Sequence, residues 1–139
     1  MSTEENKALG RRWIEEIWDK ANLAALDELL APEFVCNYAP PDVPHGPEGY
    51  RQTVNLYRTA SPDMHYMVDE MVAEGDKVAV RWTGRGTHKG DLMGIAPTGK
   101  QLTITGISIL RIASGKIIEE WGEMDMLGAL QQLGVMPSQ

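Results

Sequence analysis

From Met64 to Met124 the chain reads as four consecutive runs with strand character. Short breaks bearing glycine or acidic residues part them: Met64 to Ala73, a turn at Glu74-Gly75-Asp76, Lys77 to about His88, a glycine-rich link, Gln101 to Ile112, a turn at Ser114-Gly115, and Lys116 to Met124. Runs joined so tightly pair with their neighbours as an antiparallel meander. Side chains alternate along a strand, so each run has two faces. In the third run Leu102, Ile104, Gly106, Ser108, Leu110 and Ile112 share the face expected under helices, opposite Thr103, Thr105, Ile107, Ile109 and Arg111. In the last run Ile118, Glu120, Gly122 and Met124 alternate with Ile117, Glu119, Trp121 and Glu123. Ile107, Ile109 and Trp121 then make the outer face too apolar to leave in water, and a homodimer through it is expected.

The helices needed to cover the inner face lie mostly upstream. Thr3, Glu4 and Glu5 open a segment with Leu9, Trp13 and Ile17, then Leu23, Leu26, Leu29 and Leu30, at helical spacing. Two helices are expected, parted near Ala21-Asn22 with Asn22 as N-cap of the second, and ended by Pro32. Phe34 to Tyr38 reads as a short strand. The stretch from Ala39 to Pro47 is a loop, because Pro40, Pro41 and Pro44 remove backbone donors. Pro47 suits the first turn of a helix through Tyr50, Val54 and Tyr57, stopped by Ser61-Pro62-Asp63. A closing helix runs from an Asp125 N-cap to Gly134 at C′. The whole is an α+β chain, expected to form one domain over residues 1–139.

Charge removes several classes of partner. A formal net charge of -7 opposes binding to nucleic acid and to anionic membranes, both of which need concentrated Lys and Arg. No run approaches the ~20 apolar residues of a membrane span. Cys36 is the single cysteine, so no disulfide forms within the chain, and the polar, acidic start Met1-Ser2-Thr3-Glu4-Glu5 is unlike a signal peptide; a cytoplasmic setting is expected. The scattered His45, His65 and His88 give no metal-ligand spacing, and Gly90, Gly94 and Gly99 lack the Lys-Ser/Thr ending of a phosphate loop, so neither metal nor cofactor is expected.

Gly86-Thr87-His88-Lys89-Gly90, Met93-Gly94, Pro97-Thr98-Gly99-Lys100, Arg111-Ile112 with Gly115-Lys116-Ile117, and Gln132-Leu133-Gly134 together resemble the SnoaL-like polyketide cyclase family, over nearly the whole chain. The resemblance implies the cone-shaped fold shared with nuclear transport factor 2 and ketosteroid isomerase, a curved antiparallel sheet wrapped around N-terminal helices. It also implies an aspartate on the last strand as acid/base in an aldol ring closure, assisted by a histidine on the strand before. Anchored on Arg111 and on Gly115-Lys116-Ile117, those positions fall on Gly122 and Ser108, neither of which can play the part.

Proton transfer in an apolar cone needs a desolvated carboxylate pointing inward. Glu120 shares the Gly122 face and is the first candidate; its structural alternatives are pairing with an arginine or a bulge that turns it outward. His88, in parity with Val78, Val80 and Trp82, is the second, against a role in holding the glycine-rich link. Asp125 is the third, against its N-cap role. Trp13, Phe34, His45, Trp82, Met93, Ser108 and Gly122 are the expected pocket lining, with core packing as the alternative for the large apolar ones. Two functions stay open: an acid/base enzyme of cyclase, isomerase or hydrolase type acting on an apolar carbonyl compound, and a non-catalytic ligand-binding or dimerisation module that has lost the cyclase acid.

Overall fold

The computed structural model describes residues 2–137. A capping box starts α1 (Thr3–Arg12): the Ser2 hydroxyl accepts from the Glu5 amide at 3.1 Å, and the Glu5 carboxylate accepts from the Ser2 amide at 3.0 Å. The helix then widens into a π-helical stretch, Trp13–Asp19. Five residues of α-helix turn about 500°, which would set Trp13 and Trp18 roughly 140° apart. The i→i+5 pattern of a π-helix instead lays them on one face. Left-handed Ala21 (φ 53°) ends the stretch. Asn22 does precede the next turn, a 3₁₀ segment Leu23–Ala25 leading into α2 (Leu26–Leu29), but its side chain makes no capping bond.

β1 (Leu30–Cys36) starts earlier than the sequence suggests and runs through Pro32. The sheet order, β1, then β5 (Lys116–Met124), β4 (Gln101–Ala113), β3 (Lys77–Thr87) and β2 (His65–Glu74), explains the tolerance: β1 is an edge strand, where a missing amide need not leave a gap in the ladder. Its parallel pairing with β5 joins the start of the chain to its end. α3 (Pro47–Ala60) carries Pro47 in its first turn. The expected meander follows as β2 (His65–Glu74), β3 (Lys77–Thr87), β4 (Gln101–Ala113) and β5 (Lys116–Met124), all antiparallel. Ser114 (φ 51°) and Gly115 (φ 76°) supply the two left-handed residues of a tight hairpin turn. α4 (Met126–Gln132) closes the chain, with Asp125 as its N-cap and left-handed Gly134 just beyond.

The faces of β4 fall as the alternation predicts: Leu102, Ile104, Ser108, Leu110 and Ile112 are buried under the helices. β5 departs at one point. Arg111 pairs with Glu119 while Ile112 pairs with Ile117, so Ile118 is an extra residue in a bulge. Ile117, expected outside, is therefore fully buried, whereas Glu119 to Met124 keep the predicted faces. On the outer face Ile107, Ile109 and Trp121 are 51%, 40% and 39% exposed. Among the described residues no helix is long and apolar enough to cross a membrane, and no group of His, Cys, Asp and Glu could hold a metal ion.

Candidate active site

The inner face of β5 brings Glu120 beneath α3 and the π-helical stretch, 1% exposed. Its nearest polar group is the Tyr50 hydroxyl from α3, at 2.8 Å from Oε1. That hydroxyl also accepts the indole N–H of Trp13 and of Trp18, each at 2.9 Å. A phenol oxygen offers one proton and two lone pairs. With both lone pairs taken by indoles, the Tyr50 proton is directed at Glu120. Tyr38, in the turn after β1, has its hydroxyl 3.1 Å from Glu120 Oε1 and 3.2 Å from the saturated Tyr50 oxygen, so its proton goes to Oε1 as well. Oε1 is thus held by two phenols, and Oε2 has no hydrogen-bond partner.

Burial drives the Glu120 carboxyl up from an ordinary value of 4.5 to about 7, against the opposing pull of the Tyr50, Tyr38 and Ser108 hydroxyls. Desolvation, and then the negative charge of Glu120, raise Tyr38 and Tyr50 well above the usual phenol value, so both stay protonated donors. The carboxyl fronts a small cavity of about 30 Å³, walled mainly by Trp13, Ile14, Trp18, Tyr57 and Trp82, with Ser108 as a further polar group. Such a chamber holds about two waters. Ser108 accepts the Trp82 indole N–H at 3.4 Å and turns its own proton toward the Glu120 carboxyl. A second, larger cavity of about 420 Å³ lies outside, between the Pro40–Pro41 loop, α3 and the Leu92–Met93 segment. Tyr38 and Tyr57 line both.

Trp13, Trp82, Ser108 and Glu120 thus come together at one chamber. The other expected site residues lie elsewhere. β3 stops at Thr87, and His88 turns into the packed seam under the glycine-rich link: its Nδ1 accepts the Thr98 amide at 3.2 Å and lies 3.0 Å from the Thr98 hydroxyl, while its own backbone pairs with Lys100 and Gly99. An accepting Nδ1 puts the ring proton on Nε2, which has no partner and does not face the chamber. Asp125 is exposed and spends its carboxylate on the Gly128 amide at 2.8 Å as the α4 cap. Phe34 packs edge-on against Tyr50 (5.0 Å between ring centres) and, with His45, borders a separate space of about 120 Å³ under the proline-rich loop. Met93 sits exposed at the rim of the outer cavity.

Gly122 explains why the carboxylate sits at position 120. A Cβ on Gly122 would lie 2.8 Å from the Tyr38 ring and 3.3 Å from the Ser108 oxygen. The ring of Tyr38 occupies the volume into which a side chain at 122 would project, and the buried carboxyl, Glu120, lies two residues earlier on the same face, roughly 7 Å along the strand. Sequence reading missed Trp18, Tyr38 and Tyr50. The five-residue spacing of Trp13 and Trp18, wrong for a shared α-helical face, was the available signal.

The family model described as SnoaL-like polyketide cyclase matches residues 8–133. The chain belongs to the SnoaL-like polyketide cyclase family. It is 32% identical over 90 residues to the aklanonic acid methyl ester cyclase DnrD of Streptomyces peucetius, covering 64% of this chain and 62% of that one. It is 27% identical over 114 residues to the nogalonic acid methyl ester cyclase of Streptomyces nogalater, 78% and 83% covered. The matched segment therefore spans under two thirds of DnrD. The solved structure of TsrD from Streptomyces laurentii superposes with a TM-score of 0.88 at 29% identity, over 98% of this chain and 99% of that one. The SnoaL-like assignment accords with the cone of sheet and helices seen here and with its apolar chamber.

Proposed function

We propose that this SnoaL-like chain is an acid/base enzyme acting on a small apolar carbonyl compound, with Glu120 Oε2 as the atom that takes and returns the proton. The observation that carries the reading is the saturated Tyr50 hydroxyl: two indoles fix its lone pairs, its proton fixes Oε1, and Oε2 is left unpartnered beside the chamber. A carboxyl near pH 7 is half ionised under working conditions, as general catalysis favours. Ionised Oε2 removes a proton from the carbon next to a carbonyl. The enolate carbon attacks a second carbonyl in the same molecule, forming the new carbon–carbon bond, and the resulting alkoxide takes the proton back from Oε2–H. The aromatic wall excludes water from the enolate carbon that reaches the carboxyl.

The methyl ester cyclase names of DnrD and the Streptomyces nogalater relative support this class of reaction and supply probes. With aklanonic or nogalonic acid methyl ester, Glu120→Gln is expected to lower turnover by about 10²–10⁴-fold. Full turnover by Glu120→Gln overturns the assignment. The second reading, a binding module, takes its support from Tyr38 filling the Gly122 position; it predicts that both esters are recovered unchanged from the wild-type protein. Exposed Ile107, Ile109 and Trp121 support a second copy of the chain on the outer sheet face, which sedimentation at graded concentration would register as a dimer. The lone, half-buried Cys36 is compatible with a reducing cytoplasm.

A further inference from the structure

We propose that Tyr38 is the specificity-determining partition of this site: its ring separates the Glu120 chamber from the outer cavity and sets the size of molecule that reaches the carboxyl. The inference rests on the reading of that chamber as the reaction site. The inner chamber, at about 30 Å³, holds the chemistry but not a substrate; the outer cavity, at about 420 Å³, holds a substrate-sized volume, and the carboxylate on its wall, Asp91, is exposed and accepts the Gly94 amide at 3.1 Å. Ligand sites commonly enclose some 300–1,000 Å³, so only the two spaces joined provide both room and reactive group.

Tyr38 is built to move about a fixed base. Its neighbour Asn37 is pinned to β5 on both sides of the site, the Asn37 amide donating to the Glu120 carbonyl at 3.0 Å and its side-chain oxygen accepting from the Gly122 amide at 2.9 Å. Tyr38 itself lies beyond the end of β1, half-buried, with no strand pairing. Its ring rests on the bare backbone of Gly122, and its hydroxyl latches to Glu120 Oε1 and lies beside the Tyr50 oxygen. Swinging the ring outward opens a slot over Gly122 from the outer cavity to Glu120. Oε1 keeps its bond from Tyr50 throughout, so the reactive face of the carboxyl stays oriented. A ligand that needs the open state binds more weakly by the fraction of time the partition is open.

Quenching of the chamber indoles Trp13, Trp18 and Trp82 reads binding without turnover. The probes are phenol, 2-naphthol and 1,8-dihydroxyanthraquinone, one to three rings wide. Tyr38→Ala is expected to tighten the three-ring probe at least tenfold more than it tightens phenol. Gly122→Ala, whose new methyl displaces the ring without removing it, shifts the ratio in the same direction by several-fold and covers the case in which Tyr38→Ala folds poorly. Tyr38→Phe, which keeps the ring and loses the latch, gives about threefold. An unchanged ratio of three-ring to one-ring affinity in Tyr38→Ala and Gly122→Ala, including no detectable binding of the anthraquinone to either, overturns the proposal. Glu120→Gln separates the two ideas: it preserves the size ratio if the partition is right, whatever it does to turnover.

Discussion

Glu120 and His88 are both buried to within 1%, and each leaves one polar atom without a partner, yet they sit in different kinds of place. Glu120 lines a chamber that Tyr38 and Tyr57 share with a larger cavity, whereas Nε2 of His88 is closed into the seam that ties Thr98 and Lys100 to the end of β3. An unpartnered buried atom signals chemistry when free volume adjoins it and other groups have fixed its orientation. Without the volume it is a cost of packing.

The sharpest way to break this contrast is turnover. Glu120→Gln is expected to lose about 10²–10⁴-fold, against less than twofold per folded molecule for His88→Ala, measured on the same ester; a large loss in His88→Ala with Glu120→Gln intact reverses the assignment. Stability against pH comes next. The folded Glu120 carboxyl is raised from 4.5 to about 7, so as pH climbs through that window the unfolded chain ionises first and the fold loses stability. Above pH 7 the loss amounts to roughly 3 kcal/mol. Urea denaturation should therefore show Glu120→Gln more stable than wild type by that amount at pH 8, the gain fading to nothing near pH 4.5. His88→Ala should act in the opposite sense, losing about 2 kcal/mol in the same denaturation measurement because the Thr98 amide is left unpaired in a buried seam. Smallest is Asp125→Ala, which removes the α4 cap and should cost about 1 kcal/mol by thermal unfolding with turnover unchanged.

How far the sequence could be read follows from which forces are local. The meander, Pro47 at the start of α3, the Asp125 cap and Gly134 beyond α4 depend on backbone preferences within a few residues, and they stand where the pattern puts them. The inward direction of Glu120 was legible too, although β5 carries a bulge: Ile118 breaks the alternation, and the parity is recovered from Glu119 onward. The π-helical stretch was not legible, because its stabilising contacts, two indoles on the Tyr50 hydroxyl, come from a helix more than thirty residues away. Tyr38 and Tyr50 hid for a related reason. An aromatic on a helix face or after a strand reads as packing until the carboxyl it touches, seventy residues or more downstream, is known. His88 looked like a site residue because its parity pointed inward; the end of β3 at Thr87 and the return of the link through Thr98 turned that direction into a clamp.

The central claim, a carboxyl at position 120 held by two phenols and desolvated enough to exchange protons near neutrality, is tested most directly by following the glutamate side-chain carboxyl resonances of ¹³C-labelled protein through pH, with Glu120→Gln to identify the signal. The account predicts a single resonance, missing in the variant, that titrates with a midpoint near 7. A midpoint near the ordinary 4.5 for that resonance contradicts it.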